Sequence, residues 1–288
     1  MFARLALRDA VAVLQDAGVE TARNDAEWLF ADALGVGRAE LHVMLDEPLP
    51  ASIARGLTAS VRRRARGEPL QHILGWESFR GLRLRITRDV LVPRPETELL
   101  VEWALDLLPA GAACVIDVGT GSGCVACAVV AERPDVRVVA IDLSPAAVVA
   151  ARENAARLGL GSRLFLTGGD LLGAVRGGSA DLIVSNPPYL SRGSLRWLPR
   201  EVRDHEPRLA VDGGDAGLEV IRRLVRDAPR VLRPGAALVM ETGGGDHAHA
   251  VRDLMIEAGF IGLDARRDLT GVERFVSGRL AGGTERHP

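Results

Sequence analysis

Downstream of residue 112 the chain alternates short, almost wholly apolar runs with longer segments whose apolar positions recur at helical spacing. The runs Cys114–Val118, Val136–Ile141, Arg163–Thr167, Asp181–Ser185 and Ala236–Glu241 are short and rich in β-branched residues, so they read as strands. The stretches that end near Glu132 and span Pro145–Leu158, Glu219–Leu232 and Val251–Ala258 read as helices. Ile261–Arg266 and Arg274–Ser277 supply two closing strands. Alternation of this kind predicts an α/β fold with a seven-stranded, mostly parallel, doubly wound sheet.

The front of the chain follows a different period. Leu5, Ala6, Ala10, Val13 and Leu14 mark a first helix that stops near Gly18. A second is expected from Asn24, as N-cap, to Gly35, and a third from Pro50-Ala51-Ser52 into the run Arg62-Arg63-Arg64-Ala65-Arg66. That run is expected to be a solvated helix end favoured by the macrodipole, in preference to a nucleic-acid patch. Leu82, Leu84 and Ile86 then alternate with Arg83, Arg85 and Thr87, which predicts a strand paired in a hairpin with the segment at Phe79. Pro95 stands where a helix would begin, with Glu96 and Glu98 in its first turn. The expected domains are a helical one over 1–75, a β-hairpin linker over 76–92 and the sheet domain over 93–288.

Composition narrows this picture only slightly. A net charge of −2 gives no global attraction to nucleic acid or to a membrane surface. All basic charge is arginine, so lysine chemistry, whether Schiff base or P-loop, is excluded. No apolar run has the length of a membrane span, and the first residues lack the apolar core of a signal peptide, so a cytoplasmic location is expected. Cys124 and Cys127 form a C-x-x-C, but no further well-spaced ligands accompany them. They are expected to be small core residues, and no metal site is expected.

The chemistry concentrates at strand ends. Gly119-Thr120-Gly121-Ser122-Gly123 is a glycine turn without dinucleotide spacing and without a phosphate-holding lysine. It suits a ligand that approaches the backbone closely but carries no phosphate. Asp142 closes the next strand, where a carboxylate can accept both hydroxyls of a ribose. Asp170 follows the strand after that and could accept from an adenine amino group. Ser185-Asn186-Pro187-Pro188-Tyr189 follows another apolar strand. Two prolines end ladder pairing and confine the backbone, leaving a stiff shelf that presents an amide, freed carbonyls and an aromatic ring. In open α/β sheets this edge is where ligands bind.

Asp117-Val-Gly-Thr-Gly-Ser-Gly123, Asp142, Asp170 and Asn186-Pro-Pro-Tyr189 together resemble a class I S-adenosylmethionine-dependent methyltransferase acting on a planar nitrogen. Gly67-Glu-Pro-Leu-Gln-His-Ile-Leu-Gly75, Val92-Pro-Arg-Pro-Glu-Thr-Glu98, Glu201-Val-Arg-Asp-His-Glu-Pro-Arg-Leu-Ala210 and Asp268-Leu-Thr-Gly271 narrow the resemblance to the bacterial release factor glutamine N5-methyltransferases. It covers nearly the whole chain from about Gly67. Asn186-Pro-Pro-Tyr189 alone is shared with DNA adenine methyltransferases; the segment around Arg94 is far more specific. Two departures are Cys124, at a place expected to be aliphatic, and Leu171, where some relatives carry an aromatic residue against adenine.

The resemblance implies S-adenosylmethionine as cofactor, held by Asp117, Gly119, Thr120, Gly121, Ser122, Gly123, Asp142, Asp170, Leu171 and Asn186. It implies the glutamine of the Gly-Gly-Gln motif of class 1 release factors as the methyl acceptor. Asn186, Pro187 and Tyr189 would carry the chemistry, with the Asn186 oxygen and the Pro187 carbonyl accepting the two substrate N–H groups. Pro188, Arg94 and Glu96 would line the substrate entrance. The expected partner is a release factor, met by a monomer without direct contact to nucleic acid or membrane. Two other readings stay open: a nucleic-acid adenine amino-methyltransferase, and a non-catalytic factor-binding protein that keeps the fold.

Overall fold

A computed structural model describes residues 2–282. Met1 and residues 283–288, the outer ends of the expected first and last domains, lie outside the described residues. The described residues form two compact units: 2–76 with 198–205, and 77–197 with 206–282.

The first unit contains α1 (Ala3–Asp16), α2 (Ala22–Leu34), α3 (Arg38–Met44), α4 (Ala51–Ala65) and α5 (Leu70–Leu74), and the later segment contributes the short α9 (Arg200–His205). Leu7, Leu14, Leu29, Phe30, Leu41 and Leu57 interdigitate at its centre. The second helix begins three residues earlier than an N-cap at Asn24 predicts, with Thr21 as N-cap, and ends on Gly35 in the left-handed conformation. The arginine run is not simply a solvated helix end. Arg63 pairs with Glu68 at 2.7 Å, and Arg64 is buried, its Nε 2.6 Å from Asp25 and its Nη2 2.5 Å from Glu201. Charge counting along the sequence misses this, because Asp25 lies 39 residues away and Glu201 137.

The second unit opens with a hairpin, β1 (Trp76–Phe79) and β2 (Leu82–Arg85), of which Trp76 belongs to the first unit. It continues with α6 (Thr97–Leu107), β3 (Ala113–Val118), α7 (Cys124–Glu132), β4 (Val136–Asp142), α8 (Pro145–Arg157), β5 (Leu164–Gly168) and β6 (Ala180–Ser185). After α9 come α10 (Arg208–Val211), α11 (Glu219–Val231), β7 (Leu232–Glu241), α12 (Asp246–Glu257), β8 (Phe260–Arg267) and β9 (Glu273–Leu280). The sheet order is β5-β4-β3-β6-β7-β9-β8. The first five of these strands are parallel, and β9 runs antiparallel to both β7 and β8. The middle strands are buried on both faces, which is why they lack polar alternation. Val115, Leu182 and Val184 pack on one layer of helices, and Ile116, Ile183 and Leu238 on the other.

This order makes β3 the switch point: the chain leaves it to β4 on one side and returns on β6 at the other. The crevice above such a strand pair is where an open α/β sheet holds its ligand. The loops after β3, β4, β5 and β6 all leave the sheet at that edge, and they carry the glycine turn, Asp142, Asp170 and Asn186.

Candidate functional site

One cleft at this edge is lined by Gly119, Gly121, Asp142, Asp170, Leu171, Asn186 and Pro188, among others. Seven of the expected site residues therefore converge on one space. Asp117, Thr120, Ser122 and Gly123 do not line it. Asp117, Thr120 and Ser122 are buried, and Asp117 Oδ2 accepts from the Thr120 hydroxyl at 2.6 Å. These residues shape the turn from beneath.

Burial pushes the Asp117 carboxyl up from 3.8 to about 7, with the negative charge of Asp142 adding to it and the Thr120 hydroxyl opposing it. The folded-state value lies above the ordinary one, so folding opposes ionisation. The stability this group contributes is complete below pH 4 or so and is lost as pH rises to about 7, on the order of 4 kcal/mol in all. Asp117→Asn is therefore expected to flatten the fall in melting temperature between pH 5 and pH 8. Wild type and variant melting in parallel over that range would refute the shift.

Asp142 is held by its own loop. Its Oδ2 accepts from the Gly121 N–H at 2.8 Å and its Oδ1 from the Ser144 N–H at 2.9 Å. Ser144 in turn caps α8, accepting from Ala147 N–H, with Pro145 at the first turn. The carboxylate is thus fixed at the cleft wall with lone pairs to spare. Asp170 is differently placed: it is exposed, and its Oδ2 lies 2.6 Å from Arg223 Nη2. Arg223 lines the same cleft. Leu171, on the cleft wall, adopts φ +51°, a left-handed conformation uncommon for a leucine.

β6 ends at Ser185, whose hydroxyl donates to the Val118 carbonyl at 2.7 Å. That bond ties the shelf to the strand carrying the glycine turn. Asn186 Nδ2 donates to Thr97 Oγ1 at 3.1 Å, and Thr97 Oγ1 donates to Glu241 Oε2 at 2.8 Å. Pro187 is buried and does not line the cleft. The Tyr189 hydroxyl donates to Glu241 Oε1 at 3.3 Å, and burial beside that carboxylate pushes it up to about 12. Gly217 backs the shelf: at φ +74° it sits so close that a Cβ would meet the Tyr189 carbonyl oxygen at 2.2 Å. Only glycine combines that conformation with that approach.

Arg94 and Glu96 are not on the cleft wall. Arg94 Nη2 bonds Glu206 Oε2 at 2.6 Å, and Glu206 Oε1 accepts from the Val92 N–H at 3.3 Å. Two of the motifs quoted above therefore hold each other, through Glu206 and the Val92–Arg94 segment. Glu96 is the N-cap residue of α6. The sequence reading missed Arg223 and the stretch Pro207, Leu209, Ala210 and Asp212, which also line the cleft. A motif around Arg208 was visible, but nothing in it announces a cleft wall. Leu190 and Asp212 form an isolated parallel bridge that brings the stretch there.

Burial pushes the thiols of Cys124 and Cys127 up to about 12. Neither is a thiolate near neutral pH, so neither is a ready nucleophile.

The donor set suits S-adenosylmethionine. The turn offers backbone without a phosphate-directed cation, Asp142 offers a fixed acceptor for vicinal hydroxyls, and Val118, Ile141, Leu143 and Leu209 give the cleft apolar walls.

Residues 6–75 match the family model described as the PrmC N-terminal domain, and residues 96–197 match the Methyltransferase small domain. The release factor glutamine methyltransferase of Geobacter sulfurreducens is 44% identical over 270 residues, which cover 93% of each chain. That of Cereibacter sphaeroides is 44% identical over 275 residues, covering 96% of this chain and 97% of the relative. Among solved structures, a methyltransferase from Pyrococcus furiosus superimposes with a TM-score of 0.54 at 18% identity, over 70% of this chain and 90% of that one. The hMettl16 catalytic domain in complex with MAT2A 3′UTR hairpin 6 gives 0.58 at 15% identity, over 82% and 83%. At such identities the two structures share the fold alone.

Proposed function

The chain belongs to the release factor glutamine methyltransferase family, and on that footing we propose that it transfers a methyl group from S-adenosylmethionine to the side-chain amide nitrogen of the Gly-Gly-Gln glutamine of class 1 release factors. The observation that carries this reading is the Asn186 amide on a rigid shelf, in the same cleft as Asp142 and the glycine turn. The cofactor, when bound, supplies an electrophilic methyl on a sulfonium.

The chain's own residues supply position. Asp142 and the backbone of Gly119 and Gly121 hold the nucleoside, with Leu171 against its base. Asp117, Thr120, Ser122 and Gly123 keep the turn in shape. The Asn186 oxygen accepts one N–H group of the substrate amide, and the Pro187 carbonyl, although its residue is not on the cleft wall, is proposed as the acceptor of the other. Such acceptors favour rehybridisation of a nitrogen whose lone pair is otherwise delocalised, and they grow stronger as positive charge develops on it. No covalent enzyme intermediate and no prior deprotonation are needed; the surplus proton on the methylated nitrogen leaves to solvent after transfer. Tyr189 and Pro188 flank the glutamine side chain, and Arg94 and Glu96 brace the entrance.

Residues 1–75 serve in this reading as the recognition domain for the release factor, 76–92 as the linking hairpin and 93–288 as the catalytic domain. The enzyme acts as a monomer in the cytoplasm, without direct contact to nucleic acid or membrane. The net charge of −2 supports that choice of partner, as does the match over residues 6–75. The adenine reading uses the same shelf, but the near-full-length relatives carry the glutamine name.

The direct test is transfer of labelled methyl to a purified class 1 release factor, to the same factor with its glutamine replaced, and to DNA. Label on the unmodified factor alone supports the reading; label on DNA, or on the glutamine-free factor, refutes it. Asp142→Ala is expected to weaken cofactor binding roughly ten- to a hundredfold, the worth of hydrogen bonds to a charged group. Calorimetry measures this, and unchanged affinity would remove Asp142 from the cofactor site.

A further inference from the structure

Glu241 is the last residue of β7, 1% exposed, and no step above uses its carboxylate. It accepts from the Thr97 hydroxyl at 2.8 Å through Oε2 and from the Tyr189 hydroxyl at 3.3 Å through Oε1. Thr97, also buried, accepts from Asn186 Nδ2 at 3.1 Å. We propose that Glu241, acting through Thr97, fixes which way round the Asn186 amide sits, so that its oxygen and not its nitrogen faces the substrate. Glu241 and Thr97 are positioning residues for the reaction proposed above, and the inference rests on that reading.

The argument is one of hydrogen-bond polarity. A side-chain amide has two nearly isosteric ends, and shape alone does not choose between them. The Glu241 carboxyl accepts at both oxygens, from Thr97 at Oε2 and from Tyr189 at Oε1. Thr97 has one hydroxyl proton, and Glu241 takes it. The lone pairs of Thr97 can then only accept, and the sole part of the Asn186 amide able to donate is Nδ2. Among the described residues Asn186 Oδ1 takes no hydrogen bond, and Asn186 lines the cleft. With the other polarity an N–H pair would meet the N–H pair of the substrate, and transfer would stop.

Burial raises the Glu241 carboxyl above its ordinary value, and Thr97, Arg274 and Tyr189 oppose that rise only in part. Arg274 Nε in turn bonds Asp268 Oδ2 at 2.8 Å, and Asp268 Oδ1 accepts from Thr270 N–H, Thr270 hydroxyl and Val272 N–H. The Asp268-Leu-Thr-Gly271 segment thereby holds Arg274, whose positive charge acts on both Glu241 and Tyr189. No other role for that segment emerges from the cleft lining.

The experiment compares Thr97→Val, Thr97→Ser, Glu241→Gln, Asn186→Ala and the double variant Thr97→Val/Glu241→Gln in full-length protein. Melting curves and cofactor titration accompany kcat and KM on the release factor. Thr97→Val is expected to lower kcat about 10- to 100-fold, as a misplaced reacting group does, with cofactor affinity within about twofold. Thr97→Ser retains the hydroxyl and restores kcat. Glu241→Gln removes the enforced polarity and lowers kcat about tenfold, and the double variant is no slower than Thr97→Val alone, because the two act in series. Wild-type kcat in Thr97→Val with Asn186→Ala dead overturns the relay and leaves the reading of the site standing. Full activity in Asn186→Ala overturns both. Equal loss in Thr97→Val and Thr97→Ser, additive losses in the double variant, or a loss confined to cofactor affinity each overturn the relay. Should Thr97→Val fail to fold, near wild-type kcat in Thr97→Ser with a loss in Glu241→Gln supports the relay, and a loss in Thr97→Ser or wild-type kcat in Glu241→Gln overturns it.

Discussion

Asn186→Ala lowers methyl transfer to a release factor by on the order of 10²–10³-fold, the range seen when one transition-state hydrogen-bond partner is lost, while cofactor affinity stays nearly unchanged. The reason lies in what the shelf contributes. The amide nitrogen of glutamine is a poor nucleophile until its lone pair is freed from the carbonyl by holding its N–H groups, and one of the two acceptors is the Asn186 oxygen. The variant keeps the backbone of the shelf, because β6 ends on Ser185 and its bond to Val118, not on the Asn186 side chain. It also keeps Asp142 and the turn, to which cofactor binding is assigned. Rates on the release factor and calorimetry with the cofactor measure the two effects separately. Equal loss of both would remove Asn186 from the acceptor role.

Arg64→Ala destabilises the helical unit by about 3–5 kcal/mol, the cost of breaking a buried ion pair from one side. Arg64 and Asp25 each have 4% exposed side chains, so removing the guanidinium strands a carboxylate away from water. Glu201, 44% exposed, is hydrated readily and contributes less. Hydrogen exchange in full-length protein, read at the amides of α2 and α4, reports the loss for that unit directly. Arg64→Met combined with Asp25→Leu removes both charges and is expected to recover most of the stability, since a well-packed apolar pair often replaces a buried ion pair without loss. Unchanged exchange in Arg64→Ala would show that the pair is not buried in solution.

Much of the fold was legible in the chain. The strands of the parallel sheet are short apolar runs because both their faces are covered, and that alone separates them from the amphipathic helices between them. The hairpin at Leu82–Arg85 was legible from its alternation, and Gly35 from its position past the last apolar residue of α2. The short helices α3, α5, α9 and α10 were not, since a helix of a few residues carries too little periodicity to stand out. The start of α2 was misplaced because Asn24 is a good N-cap by type, yet Thr21 holds that position.

The site divides the same way. The glycine turn, Asp142, Asp170 and Asn186 could be named from sequence because each follows a strand, and a parallel sheet sends all its strand ends to one edge. Sequence by itself thus determined the sheet, the edge and the chemistry offered there. Tertiary structure alone decided which groups face the cleft, and which serve beneath it. Asp117 lies under the turn, Asp170 bonds Arg223, and Arg94 bonds Glu206 from 112 residues away. Glu241, 144 residues from Thr97, meets its hydroxyl only because β7 and α6 are packed together. Polarity in a hydrogen-bond chain depends on donors and acceptors brought within about 3 Å of one another. No local pattern records that distance; folding sets it.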